Sequence, residues 1–490
     1  MKPKFHVPLA AAGLAGLLIV LAPGCAVPLA PGYTIVEQRR EVRFTSGATP
    51  EIHVRAEYLI QNTGTTPLTY LDVKLPPEKA YGRSDTRAEI GGREAAVEEL
   101  PEEYREDSPD EWRIPLESGL GLKNKLRLAV EYNLSAPGEQ GGRITIGAND
   151  FHLGSRGWSP ELEPPRHLLS PRPKRPKETA YTVRVPAGYQ VTARGGLKSK
   201  KEKNGEWVYT FALGKNDLAP FIVAGRYQQL PPGADEDETR FWALSPLAGD
   251  VSAAQKKLGQ AWDTMKTEFG PPASGAAAPL IVEAPELHAE RPGENRGAAG
   301  FPGGALASPD LLAKGVDSAE FLDEVSIALA HDWFGDEIYP PAFAAISMGD
   351  GLPEYATIVM AEATEGEAGR KERVEKYLAR YDAACRAAKE TPLGVVRESD
   401  SAEIQEIARA KAPLFYVALE DTYGEKSVRA GLREMVTLMR GQEAGIDVMR
   451  SALEQTTGKN LADVFRAWLY QKGIPADFRA RYESGSEPAR

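Results

Sequence analysis

Between Tyr33 and about Pro231, apolar side chains recur with a period of two. Ile52–Ile60, Leu126–Tyr132 and Ala180–Val185 alternate apolar and polar positions and are rich in Val, Ile and Tyr. Such alternation places one set of side chains on a buried face of a strand and the other set on its opposite face. Asn62-Thr63-Gly64, Gly91-Gly92 and Pro186-Ala187-Gly188 break the runs as turns. Short strands separated by such turns predict an antiparallel β sandwich or saddle. His53, His152 and His167 are scattered through this half and read as structural or solvent-exposed.

After the acidic, proline-rich turn Pro231–Glu238, the spacing changes to that of helices. It predicts helices over Val251–Phe269, Ser318–Gly335, Gly366–Lys389 and Ser401–Tyr423, then Gly424–Arg440, Asp447–Thr457 and Leu461–Gln471. Pro279–Glu283 and Gly304–Ala307 read as strands of a small edge sheet. The Gly-rich stretch Gly293–Gly304 reads as a loop, without the strand–turn–helix context of a phosphate-binding loop. The expected fold class is therefore α+β, with an antiparallel β domain over residues 33–235 and a mainly α-helical domain over 236–490.

The N-terminus adds an address. Lys2 and Lys4 precede an apolar run from Leu9 to Ala22, which is of signal-peptide length and shorter than the ~20 residues a spanning helix needs. Residues 1–24 are expected to be a signal peptide. Ala22-Pro23-Gly24-Cys25 is similar to a bacterial lipobox, although Ala22 and Pro23 depart from its usual residues. The expectation is an exported protein whose lipidated Cys25 and tether, residues 25–32, hold it to the bacterial cell membrane or outer membrane. Of the 2 cysteines, Cys25 is thus assigned, and Cys385 has no disulfide partner. Its surroundings, Tyr381-Asp382-Ala383-Ala384-Cys385-Arg386, suit a buried thiol rather than a nucleophile. With 59 basic and 70 acidic residues, the net charge of −11 does not suit nucleic acid, whose binding uses Lys and Arg to replace counterions. The Pro-broken basic run Pro171–Lys177 reads as a solvated connection.

Candidate chemistry centres on Ile327-Ala328-Leu329-Ala330-His331-Asp332-Trp333-Phe334-Gly335. An H-E-x-x-H helix sets two histidines at i and i+4 on one face to bind zinc, and the Glu acts as general base. Here His331 stands at the second position. Ile327 occupies the first, where it has no electron pair for a metal, and Ala328 occupies the place of the base, where it cannot take a proton.

The run Leu329–Gly335 resembles the H-E-L-A-H-Q-W-F-G helix of the membrane alanyl aminopeptidase (aminopeptidase N) family of gluzincin metallopeptidases. Ser347-Met348-Gly349-Asp350-Gly351-Leu352-Pro353-Glu354-Tyr355 resembles the family's W-L-N-E-G-F-A-x-Y segment, with Asp350 nineteen positions after His331. The resemblance implies that His331 and Asp350 are remnant zinc-ligand positions. Gly297-Ala298-Ala299-Gly300-Phe301 looks like the G-A-M-E-N segment, which makes it a remnant amine-anchor loop with Gly300 in place of the Glu. Arg409-Ala410-Lys411-Ala412-Pro413-Leu414 looks like Y-x-K-G-x-L, which puts Arg409 where the family carries its transition-state tyrosine. Phe465–Pro475 resembles the late F-x-x-W-l-x-q-x-G-x-P segment, while Trp158-Ser159-Pro160 and Phe221–Tyr227 look like the close of the N-terminal β domain. The likeness covers roughly residues 33 to 478 and implies a thermolysin-like helical domain.

No catalytic residue and no cofactor is expected on this reading, and the protein is a pseudopeptidase that binds a peptide or an envelope protein, or a structural component. The alternative is a divergent zinc aminopeptidase with ligands from elsewhere. His331, Asp350 and Glu354 could in principle form a facial His-plus-two-carboxylate site. Pro353 and the lack of a second histidine argue against it, and Asp350 as helix N-cap with Glu354 as first-turn dipole partner is the preferred reading. Serine chemistry has less support: there is no G-x-S-x-G elbow, His288 and His331 are the only histidines of this half, and Ser326 and Ser347 have no other base.

Overall fold

The computed structural model describes residues 32–100, 110–135, 144–154, 157–162, 178–213, 221–284, 297–334, 338–341, 344–397, 399–440 and 442–482. The signal peptide, Cys25, His167, the basic run 171–177, His288 and Gly335 lie outside the described residues.

In the first half an eight-stranded sheet runs in the order Gly196–Lys203, Glu206–Leu213, Glu178–Pro186, Tyr33–Thr45, Glu51–Asn62, Lys125–Ser135, Ser84–Ile90 and Arg93–Ala95. Strand Glu51–Asn62 buries every second residue from Ile52 to Asn62, as the alternation requires. Neighbouring strands are antiparallel except Tyr33–Thr45 and Glu178–Pro186, which pair in parallel from Glu37 opposite Glu178 to Arg43 opposite Arg184. Two four-stranded sheets share a core with this large sheet, so that Val54, Tyr132 and Val183 pack with Leu71, Ile114, Phe151 and Ile222. The Tyr132 hydroxyl donates to the Trp158 carbonyl at 2.5 Å, and the Tyr58 hydroxyl donates to the Pro160 carbonyl. These bonds tie the Trp158-Ser159-Pro160 segment to the sheet.

The chain reaches the second half through the hairpin Gln228–Leu230 and Arg240–Ala243, whose turn holds the acidic stretch. A five-stranded sheet follows in the order Gln228–Leu230, Arg240–Ala243, Leu280–Glu283, Gly304–Ala307, Ala298–Phe301. Phe221, Val223, Tyr227, Trp242, Val282, Phe301 and Leu306 form one buried cluster that joins the end of the β half to this sheet. Residues 298–301 correct the expectation of a loop over Gly293–Gly304. They form an antiparallel edge strand, Ala298 opposite Ala307 and Phe301 opposite Gly304, because small residues let the two strands and the helix beneath approach closely.

The helices are α1 (Glu78–Tyr81), α2 (Val251–Phe269), α3 (Pro309–Ala313), α4 (Ala319–Phe334), α5 (Gly351–Ala387), α6 (Ala402–Tyr423), α7 (Glu425–Met439), α8 (Ile446–Thr457), α9 (Ala462–Leu469) and α10 (Ala476–Tyr482). The Asp250 carboxylate caps α2 by accepting from the Ser252 and Ala253 amides at 2.9 and 3.0 Å. Helix α5 changes direction at Gly366, whose φ of 70° is the left-handed region that glycine enters without a Cβ clash. The predicted helix start at Gly366 is therefore a break between two helical segments, and the first of them carries the Asp350–Tyr355 motif.

The helical framework is held by a buried carboxylate. Glu420 of α6 accepts from Tyr355 of α5 at 2.6 Å, Arg370 of α5 at 2.5 Å and Arg429 of α7 at 2.6 Å. Burial and the Glu420 charge push the Tyr355 phenol well above its usual range, so it remains a donor. Trp333 of α4 is fully buried and donates to the Gly270 carbonyl at the end of α2 at 2.8 Å.

His152, on strand Asp150–Leu153, is pushed down to about 4 by desolvation of its cationic form. The unfolded chain binds that proton below the ordinary value of 6.5, whereas the folded protein does so only near 4. Stability should thus be fully present above pH 6.5 and fall as the pH drops from 6.5 to 4, by an amount on the order of 2 kcal/mol for a partly exposed ring. Urea titrations across this range should show the loss in the wild type and a smaller one in His152→Gln; parallel pH profiles would contradict it.

Candidate functional site

Helix α4 carries Ile327, Ala328 and His331, and strand Ala298–Phe301 lies across it. Ile327 is 9% exposed and Ala328 3%, while His331 in the last turn is partly exposed. A Cβ on Gly300 would collide with the Ala328 carbonyl oxygen and lie 2.9 Å from the His331 Cβ. Strand Ala298–Phe301 is thus pressed directly onto α4, and the missing side chain of Gly300 permits this approach.

Asp332, the next residue of α4, is 1% exposed and fixes the surroundings. Its Oδ1 accepts from the Ser274 amide at 3.1 Å, and its Oδ2 from the Ser274 hydroxyl at 2.5 Å and the Gly303 amide at 3.1 Å. One carboxylate therefore binds α4 to the loop after α2 and to the hairpin that carries Gly300. Nothing in the motif's spacing marks Asp332 for this role, because its partners are 58 and 29 positions away.

Asp350 follows a π-helical turn, Ala345–Asp350, and opens α5. The expected N-capping bond is not made. The Gly351 amide is bonded to the Ile346 and Met348 carbonyls, since α5 continues from the π turn, and Pro353 at the third position has no N–H to offer a cap. The Asp350 carboxylate instead accepts from the Arg409 guanidinium at 2.9 Å, with side-chain exposures of 14% and 3%. Gln405, one turn earlier on α6, receives a second Arg409 donor at 2.9 Å and helps to aim it. The sequence reading missed Gln405, although its i, i+4 spacing from Arg409 is a usable signal.

The docking of α6 explains why Arg409 reaches this place. Arg409, Ala412 and Tyr416 share one helix face at spacings of three and four. The Tyr416 hydroxyl donates to the Ser347 carbonyl at 2.8 Å, and the Ala412 Cβ would stand 2.5 Å from a Cβ on Gly351. Gly351 is needed for that contact. Lys411 points elsewhere: it is 1% exposed and donates to Glu390 at 2.8 Å and the Gln471 carbonyl at 2.9 Å, while burial pushes its pKa down.

Glu354 stands in the first turn of α5, where a dipole partner is expected, but it also serves as a buried ion-pair acceptor. It is fully buried and accepts from Arg380 at 2.9 Å, and Arg380 also forks onto Glu406 at 2.6 and 2.9 Å. Burial of the helix face behind Asp350 leaves Glu354 no route to water, and only a cation makes its charge tolerable there. Burial raises the Cys385 thiol, which suits a structural sulfhydryl rather than an attacking thiolate. A catalytic zinc keeps three protein ligands and an open position. Among the described residues, no three His, Cys, Asp or Glu side chains group as a metal site.

The contact at Gly300 has a direct test. Gly300→Ala should lower stability by about 1–3 kcal/mol, because the helix backbone must move away from the added methyl group. Thermal unfolding should then shift down by several degrees, and Gly300→Glu should shift it at least as far. A wild-type midpoint in Gly300→Ala would show that strand and helix are not in close contact.

No protein-family model matches the sequence, and no curated protein sequence matches it. Solved structures do. The crystal structure of the M1 zinc metallopeptidase from Deinococcus radiodurans superposes with a TM-score of 0.62 at 16% identity, covering 94% of this chain and 97% of that one. A point variant of that metallopeptidase bound to a Tyr-Ser-Ala substrate gives 0.63 at 16% identity, covering 91% and 95%. A two-domain M1 zinc metallopeptidase variant bound to L-arginine gives 0.62 at 17%, covering 91% and 95%. At such identities the likeness concerns the fold, and this chain has the two-domain fold of the M1 zinc metallopeptidases.

Proposed function

We propose that the protein is a lipid-anchored pseudopeptidase, an aminopeptidase-like fold that binds an extended peptide or a partner protein of the envelope without hydrolysing it. The observation that carries this reading is the Arg409 guanidinium on Asp350. On this reading the carboxylate at a family ligand position already has its cation, built into α6. His331 remains as a single imidazole, and Ile327 has no donor to add. The donor set does not fit a catalytic zinc. Loss of the general base at Ala328 alone removes a contribution of ~10²–10⁴-fold in rate. Strand Ala298–Phe301 is the outermost of its sheet, and such an edge suits recognition of an extended segment through main-chain hydrogen bonds.

Protein purified without added zinc should contain no stoichiometric zinc and should not cleave aminoacyl reporter substrates. Rebuilding the motif should proceed in steps. Ile327→His with Ala328→Glu should gain little zinc affinity while Arg409 holds Asp350. Adding Arg409→Tyr leaves a buried carboxylate unpaired, a loss of about 3–5 kcal/mol, and zinc should then bind and raise the thermal midpoint. Chelator-sensitive cleavage by the wild type would favour a divergent zinc peptidase instead. Equal zinc affinity in the double and triple variants would remove Arg409 from the account.

The anchor rests on Cys25. One acyl chain gives marginal membrane binding and several give a stable one. The protein should fractionate with membranes and Cys25→Ser should release it or block its processing; unchanged fractionation and processing would refute the anchor.

A further inference from the structure

A cleft of about 470 Å³ opens where the two halves meet, apart from the face of α4 that carries Ile327 and His331. Its walls come from the turn after strand Gln190–Ala193, the start of strand Arg240–Ala243, the loop after α2 and the turn of the Gly300 hairpin. Two arginines line it, Arg194 and Arg240, against a single carboxylate, the exposed Glu236. Arg194 is 2% exposed, so its charge is withdrawn from bulk water. The Nε of Arg240 is buried and has no hydrogen-bond partner among the described residues. A buried guanidinium N–H left without an acceptor is costly, and a ligand with an acceptor oxygen removes that cost.

The rest of the cleft suits a small, charged guest. Gly195, Gly196 and the alanines of residues 276–278 line it with backbone and methyl groups, so that a compact ligand meets no bulky side chain there. The wall is also held in place. Ser274 and Gly303 both lie in it, and both are fixed by hydrogen bonds to the buried Asp332. Asp332 stands behind that wall and is not among the residues that line the cleft.

We propose that this cleft binds a small oxyanion, a carboxylate or a phosphate group, between Arg194 and Arg240. Planar guanidinium groups match both kinds of oxygen pair and bind them by charge-assisted hydrogen bonds. The site is independent of the pseudopeptidase reading, because it uses neither His331, Asp350 nor Arg409. Ligand binding should reach the Gly300 hairpin through the turn at Pro302-Gly303, which the cleft shares with the strand pressed on α4.

The test is titration calorimetry of the whole exported chain with inorganic phosphate and, separately, with succinate, at ionic strength held constant with potassium chloride. Saturable one-site binding of either anion is expected, and the anion that binds tells whether the guest carries phosphate or carboxylate. Arg240→Gln should weaken binding at least tenfold. Ala277→Asp should do the same by adding a negative charge to an exposed wall position, which leaves the core untouched. No saturable heat with either anion, or wild-type affinity in both variants, would overturn the proposal.

Discussion

A guanidinium 2.9 Å from a carboxylate, both largely withdrawn from water, ties the middle of α6 to the start of α5. Desolvating two such charges costs several kcal/mol each, and their attraction compensates only when geometry is good and other donors are satisfied. Arg409 meets those conditions through Asp350 and Gln405. The π turn before Asp350, the glycine at 351 and the Ala412–Tyr416 face of α6 all serve to bring the two groups together. In a zinc peptidase the comparable positive charge would be an exchangeable metal facing the cleft. On our reading it is part of the chain, and the same helices stay packed without a metal to organise them.

A second constraint runs along α4. Gly300 has no side chain, and the strand that carries it therefore packs against the α4 backbone at Ala328. Asp332 reinforces the arrangement from behind, since its two oxygens bind the hairpin turn and the loop after α2. The same bonds stiffen a wall of the arginine-lined cleft, so the strand packed on α4 and the proposed anion site rest on one buried carboxylate.

The helical framework has its own buried charge network. Glu420 gathers Tyr355, Arg370 and Arg429 from two neighbouring helices, and Arg370 also reaches Asp421 at 3.0 Å. Removing one member of such a network would leave a charge buried alone, which is why networks of this kind hold helices in one arrangement. The hydrophobic core around Trp262, Tyr355 and Phe415 takes in Ala328, Leu329, Ala330, Trp333 and Phe334 of α4, so the motif helix is itself part of the packing.

Periodicity was enough to place the alternating strands of the β half and helices such as α2, which begins and ends as its apolar spacing requires. Period and capping are local properties, readable within a dozen residues. Motif spacing singled out Ile327, Ala328, His331 and Asp350 as candidates, because they sit on consecutive turns or at a characteristic interval. The strand over residues 298–301 escaped notice, since three small residues and one Phe carry no periodic signal and pair only because Gly304–Ala307 lies beside them. The partners of Asp350, Glu354 and Asp332 escaped for the same reason. Each is a charge that must find its counterpart across the fold, 59, 26 and 58 positions away, and no local pattern records which one it meets. Side chains that the chain alone marked as a cap and a dipole partner became buried ion pairs, because burial makes an unpaired charge too costly to keep.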